Sequence, residues 1–509
     1  MMRKWFAGIS IMAFVAALLA VGAPMAFAQD QQAQKTPYTL SEYNAFQTAA
    51  GQNDPQAKVQ GLDDFVSKFP NSVLLPLAYK LYYATYNQLK NYPKTIEYVD
   101  KFLAVPDDKL LAIPGENKEA ITGDRLQALY LRAVAFNESF SDKDANAQDE
   151  LTKARQSALD GLKVLDQIAK PANQTDDQFA QSKKPVILLF NYTAGIAAFN
   201  MKDYKDAIDS FNADVAATGS TTDQTTAATY YRLGVSYLQL AAQQAPSQSQ
   251  ASATPPAGTP PGGTASTTPA SGTATPGADS SALTDLYMNG FWDLARAVAL
   301  NGSGKAQIQS YLRAEMFNYE QPACGTLLDA QLNELIQLAG TQATRPTTYS
   351  IPSAADLNKT LQASNLLSIL SDLQGGGDKA KMTWLAVCGQ EIPSVVGKIT
   401  DVTPGTDTID FKVFTAATGE EIEAGTTPNL DVTIHTAPPA AAAGGQAPTD
   451  VPVQPEAARL VKNGEIKFTG TLVSYDAQPF LVHFDKCTVD PSVIPAEKGE
   501  KKPHRPGER

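Results

Sequence analysis

Cysteine, histidine and tryptophan are scarce in this chain, whose 509 residues hold three of each. Three cysteines (Cys324, Cys388 and Cys487) are too few for a disulfide scaffold, and an odd count leaves at least one outside any intramolecular pair. Three histidines (His435, His483 and His504), without HExxH or CxxC spacing, leave little room for imidazole catalysis or a zinc site. Each is read as structural. Positive charge is also short: 41 Lys and Arg face 53 Asp and Glu, a formal net charge of −12. A chain without a surplus of cations cannot neutralise a run of phosphates, which argues against nucleic acid as partner. The one basic segment, Lys498 to Arg509, is broken by Glu500 and Glu508 and reads as a disordered tail. Past the N-terminus, long apolar runs are missing too, so no membrane span is expected in the mature chain.

The N-terminus is different. Arg3 and Lys4 precede an apolar run from Ile9 to Val21, and Ala26-Phe27-Ala28 offers a small-x-small cleavage site before Gln29. This is the pattern of a Sec-type signal peptide over residues 1–28, which predicts a periplasmic or secreted protein. The alternative is an uncleaved N-terminal membrane anchor, for which the run is short and interrupted by Gly22 and Pro24. An exported chain can form a disulfide, and Cys388 and Cys487, flanking one predicted β domain, are the candidate pair. The competing reading is that they stay reduced and buried.

Motifs that could carry chemistry fail on inspection. Asn301-Gly-Ser-Gly-Lys305 ends like a phosphate-binding loop, but Ala299 stands at the first glycine position and Ala306 follows the lysine. Asp142-Lys-Asp-Ala-Asn146 opens like a calcium loop, yet Ala147 and Lys153 occupy the glycine and bidentate-glutamate positions. The carboxylate pairs Asp63-Asp64, Asp107-Asp108 and Asp176-Asp177 fall at helix starts or in loops, where the helix dipole favours them. We therefore expect no catalytic residues, no cofactor and no metal, and a protein that is not an enzyme.

What the chain has in quantity is helical periodicity. In Asn191 to Phe211 the small residues Ala194, Gly195 and Ala198 sit at helical spacing, followed by the short polar stretch Asn200-Met-Lys-Asp203. Tyr204, Ala207, Ile208 and Phe211 then mark the apolar face of a second helix. Two such helices with a tight turn form an antiparallel hairpin. The pattern resembles the tetratricopeptide repeat, with Gly195 at the glycine position, Tyr204 at the turn aromatic, Ala207 at the central alanine and Phe211 at the second-helix aromatic. The family's first-helix Trp is Asn191 here, its first-helix Tyr is Ala198, and its terminal Pro is missing.

Tyr230-Tyr-Arg-Leu-Gly-Val-Ser-Tyr237 restarts the pattern, at an interval somewhat longer than the roughly 34-residue period. Leu81-Tyr-Tyr-Ala-Thr-Tyr86 traces it without the glycine. A helix ending in Phe69-Pro-Asn-Ser72 resembles repeats of bacterial envelope proteins in the same superfamily. The resemblance implies a right-handed solenoid of helical hairpins, lined on its concave side by first helices. In that register Lys80, Asn87, Tyr192, Asn200, Tyr231 and Gln239 point outward as candidate partner-binding residues.

The expected fold is mainly α, a helical-hairpin solenoid followed by a small all-β, barrel-like domain. Repeats cover 38–243, and 244–282 is a disordered Ala/Pro/Ser/Thr/Gly insertion within a hairpin. The solenoid continues and is capped over 283–375, with Gly290, Leu294 and Ala297 on the returning helix, and Leu357 to Leu373 reads as one helix. From Val395 the period changes to alternation, and five strand candidates fill a β domain over 380–492, interrupted by a low-complexity loop at 437–456. Gly470 inside a long strand suggests a bulge, and the five strands suggest an OB-like barrel. A tail occupies 493–509.

The leading expectation is an exported scaffold or adaptor that binds a protein or peptide in the bacterial cell envelope. The alternative is a small-molecule or glycan module working through the β domain, which aromatics such as Phe468, Tyr475 and Phe484 on one barrel face would favour.

Overall fold

The structure is a computed structural model that describes residues 37–219, 226–245, 280–300, 304–416, 427–439 and 451–496. The expected signal peptide, most of the 244–282 insertion, the middle of the 437–456 loop and the tail beyond 496 lie outside the described residues. The chain divides into two compact units, Met1–Gln309 with Ile336–Arg345, and Ser310–Leu335 with Pro346–Arg509.

In the first unit the helices are α1 (Leu40–Ala50), α2 (Pro55–Lys68), α3 (Leu75–Gln88), α4 (Tyr92–Leu103), the short α5 (Asp107–Leu111), α6 (Lys118–Ser139), α7 (Ala147–Gln167), α8 (Asp176–Asn200), α9 (Tyr204–Thr218), α10 (Ala227–Gln244) and α11 (Ser280–Ala299). Helices α12 (Lys305–Glu320) and α13 (Gly325–Thr341) give residues to both units. Local chemistry sets many of the starts. Thr39 and Glu42 form a capping box, as do Thr175 and Gln178, while Asp54 caps α2 with Pro55 behind it. Asn117 caps α6, which therefore begins at Lys118 rather than at Gly123 as the apolar spacing suggests.

Each of these helices packs on its sequence neighbour, α1 on α2, α2 on α3, α3 on α4, then α6 on α7, α7 on α8, α8 on α9, α9 on α10 and α10 on α11. Beyond these, α4 packs on α6 across the short α5, and α3 touches α6, α6 touches α8 and α8 touches α10. Small residues permit the close approaches. A Cβ built on Gly195 of α8 would lie 2.5 Å from the Phe211 ring of α9, and one on Gly161 of α7 would lie 2.5 Å from the Phe190 ring of α8. Buried arginine ties the joints: Arg132 of α6, 1% exposed, donates to Asp100 of α4 at 2.7 Å and lies 3.5 Å from Glu150 of α7. Arg155 of α7 pairs with Asp203 and Asp206 at the start of α9.

In the second unit, residues 357–373 form two helices and not one. Asn365 caps a new helix by accepting from the Ser368 amide, so α14 (Ala354–Ala363) ends and α15 (Leu366–Gly375) begins. Gly376 and Gly377 both take positive φ (+71°), after which α16 (Gly377–Val387), which the alternating pattern did not announce, leads into the sheet. Strands β1 (Glu391–Pro404), β2 (Thr408–Phe414), β3 (Leu430–His435), β4 (Glu465–Ala477) and β5 (Phe480–Val489) close into a barrel in the order β1-β2-β3-β5-β4. All pairings are antiparallel except β3 with β5. The β4–β5 register shifts between Thr469 and Thr471, around Gly470, where an added Cβ would meet the Cys487 Sγ at 2.5 Å. Alternate residues (Ile409, Phe411, Val413; Val432, Ile434; Ile466, Phe468) fill the interior, and Leu357, Ile369, Leu370, Leu373 and Trp384 from the three helices join the same core.

Two expectations need correction. The disulfide is Cys324–Cys388, with Cα atoms 5.8 Å apart, and not Cys388–Cys487. Cys388 is the C-terminal cap of α16, next to the turn before α13, whereas Cys487 lies on β5 inside the barrel with no exposure. The end of the 437–456 loop is also structured: Gln454 is buried and exchanges two hydrogen bonds with the Val489 backbone (2.7 and 2.9 Å), and Val453 bridges to His435.

Candidate binding surface

Helices α3, α6, α8 and α10 touch in succession, and a polar side chain crosses each joint. The Lys80 ammonium of α3 pairs with Asp124 of α6. Asn137 of α6 donates through Nδ2 to the Thr193 hydroxyl of α8 at 2.8 Å. The Arg232 guanidinium of α10 lies 5.5 Å over the Tyr192 ring of α8, within cation–π range. The row is therefore held by charge and hydrogen bonds at its outer edge as well as by apolar packing beneath.

The six residues expected to face a partner fall on three of these helices, and none is fully buried. Lys80 is committed to Asp124. Asn200 is exposed, but its Nδ2 donates back to the Ile196 carbonyl at 2.8 Å and so closes its own helix. Tyr192 is half-buried, packing edge-on against Phe211 at 6.3 Å while meeting Arg232. Tyr231 and Gln239 are half-buried on α10. Asn87 is half-buried, and its Oδ1 is sealed from solvent without a hydrogen-bond partner. The Tyr83 hydroxyl of α3 and the Asn137 Oδ1 of α6 are in the same condition. Unmet polar atoms of this kind are uncommon in native structures.

Sequence reading missed the α6 contribution. The segment from Gly123 to Asn137 has no glycine in the repeat position, so no register could be laid on it, and Asp124 and Asn137 went unmarked. Arg232 was passed over because it lies between two candidate aromatics of one restart motif.

Burial perturbs several acids nearby. The Asp214 carboxyl of α9 is pushed up to about 6 by burial, against which the hydrogen bond from the Thr229 hydroxyl of α10 (2.9 Å) works. Burial also raises Asp293 of α11 well above the usual carboxylate range, opposed by Arg296 and Arg345. In the second unit Glu320, with no exposure, is raised to about 8 by burial, against which a hydrogen bond from Gln331 works.

Of the aromatics expected to cluster on one barrel face, Phe468 and Phe484 are inside and Tyr475 is half-buried. Phe468 and Phe484 are 1% exposed and meet edge-on at 5.3 Å, and Tyr475 packs against Trp384 at 5.1 Å. Phe468 and Phe484 are core and Tyr475 lies half-buried against it, so these three do not form an open aromatic face for a glycan. Among the described residues no group of three or more His, Cys, Asp or Glu could hold a metal ion, and no helix is long and apolar enough to cross a membrane. No family model, characterised protein or solved structure matches the chain.

Proposed function

We propose that this chain is a scaffold or adaptor that binds a protein or peptide along the row formed by α3, α6, α8 and α10, as an exported component of a bacterial cell envelope. The observation that carries the reading is the order of contacts: the short α5 aside, each helix covers its sequence neighbour, and α3, α6, α8 and α10 touch in succession. This order supports a tetratricopeptide-like solenoid, in which stacked hairpins would set their first helices on one face. In this reading the β1-β2-β3-β5-β4 barrel is OB-like and serves as an accessory module.

The test uses the full chain from Gln29 onward. Partners cross-linked from an envelope extract are compared among the native protein, the Tyr192→Ala/Tyr231→Ala double variant, and Lys205→Ala, an exposed site on the second helix α9. Loss of a specific partner in the double variant alone supports the reading. Identical cross-linking profiles for all three proteins sink it.

A further inference from the structure

The barrel closes at its weakest ladder. Strands β4 and β5 pair from Phe468–Val489 to Ala477–Phe480, but β3 and β5 meet in parallel only at Leu430–Val482, Asp431–His483 and Val432–Phe484. The outer face of that short seam carries both described histidines and a set of carboxylates. His483 on β5 has Nδ1 at 3.0 Å from Asp431 Oδ2 on β3 and Nε2 at 2.9 Å from Asp476 Oδ2 on β4. His435 on β3 has Nε2 at 3.0 Å from Asp485 Oδ1 on β5. The other groups around them are Lys412 on β2, whose ammonium lies 2.8 Å from Asp431, and Asp410 on β2, which accepts from the Thr433 hydroxyl at 2.7 Å. Asp485 also accepts from the Lys486 amide at 2.7 Å, and the segment at 451–454 presents only Val453 and the Gln454 amide to His435.

The two histidines differ in what they require. A neutral imidazole has one N–H, which is enough for His435 to donate to Asp485, and its Nδ1 is buried without a partner. His483 faces a carboxylate at each ring nitrogen. Both contacts can be hydrogen bonds only when both nitrogens carry protons, because a neutral ring would set a lone pair against one carboxylate oxygen. The imidazolium thus ties β5 to both of its neighbours at once, and loss of the proton forces it to give up one of them.

We propose that His483 is a proton-operated clasp on the barrel, holding β3 and β4 to β5 when protonated and loosening that seam when neutral. The sign follows from which form makes both bonds: the clasp is complete with the imidazolium, and the neutral ring keeps one bond of the two.

Amide hydrogen exchange on the full chain tests this, with protection factors corrected for intrinsic exchange at pH 5.5 and pH 8. The reporters are the β5 amides 480–484, including Val482, which donates to the Asn429 carbonyl across the seam at 3.0 Å. Their protection should be about tenfold higher at pH 5.5, the worth of one charge-assisted hydrogen bond. It should become pH-independent in His483→Gln and stay pH-dependent in His435→Gln, while β1–β2 amides hold steady in all three proteins. Equal protection of the native seam at the two pH values overturns the proposal. So does a pH dependence that survives in His483→Gln, or one shared by the β1–β2 amides.

Discussion

Gly234→Ala is the sharpest single test of how the helices on either side of the insertion meet. On an exposed helix surface, replacing glycine by alanine gains about 1 kcal/mol, because the unfolded chain loses less freedom on folding. At Gly234 the added Cβ would lie 2.8 Å from the Gly290 carbonyl oxygen and 2.9 Å from the Leu294 amide nitrogen, with Leu294 Cγ also at 2.8 Å. Two of those three atoms are backbone of α11 and cannot rotate aside, so the whole of α11 would have to retreat from α10. Gly290 is pinned from the other side, since its own Cβ would meet Leu238 at 2.6 Å. Overpacking of this kind costs about 1–3 kcal/mol, at the upper end here because backbone is the obstacle. The net expectation is a loss of roughly 2 kcal/mol, or about 4 °C in midpoint for a unit of this size. Calorimetry of the full chain should be run beside Gly340→Ala, whose Cβ would find only the Ala299 Cβ at 3.5 Å and should leave stability unchanged or slightly raised. If Gly234→Ala is as stable as the native protein, α10 and α11 do not cross as described.

The buried acids make stability pH-dependent. Asp214 and Glu320 hold a proton more tightly folded than unfolded, so their cost is absent below the ordinary carboxylate range and grows as pH rises through about 6 and about 8 respectively. For Asp214 the full cost is on the order of 3 kcal/mol. Asp214→Asn, which still accepts from Thr229, should therefore flatten the fall in midpoint between pH 4 and pH 7; an unchanged slope in urea melts would refute this. Glu320→Gln should do the same between about pH 5 and pH 8. Removing the Cys324–Cys388 bridge, which closes a loop 64 residues long, should cost about 4 kcal/mol. Non-reducing peptide mapping checks the pairing, and the Cys487 thiol should resist alkylation until the barrel is denatured.

Much of the fold was legible because its signals are local. The Asn191–Phe211 hairpin is written in adjacent residues, and the turn at Met201–Asp203 between α8 and α9 stands where the polar stretch put it. All five strands were read from alternation, and the bulge at Gly470 from one glycine in a long strand. The return of the chain after the insertion was also readable, because Gly290 and Leu294 keep helical spacing with the small face of Gly234. The misses concern helix starts and stops decided by one side chain. Asn365 divides a continuous apolar stripe by bonding the Ser368 amide, and composition cannot separate that from an asparagine on a helix surface.

The cysteines and histidines mark where local reading ends. Cys388 and Cys487 share a domain in sequence, but alternation along β5 puts Cys487, like Val489, on the inner face, so the strand pattern itself argued against the pair. The seam residues are harder. Alternation places His483 and Asp485 on the outer face of β5 and Asp431 and His435 on that of β3, yet nothing in either strand says that these two run side by side. A parallel neighbour is set by the path of the whole chain, with residues 436–479 lying between the strands. The contact of Asp431 with His483 is therefore made only when the barrel closes, and each strand histidine, read along its own strand, shows no partner.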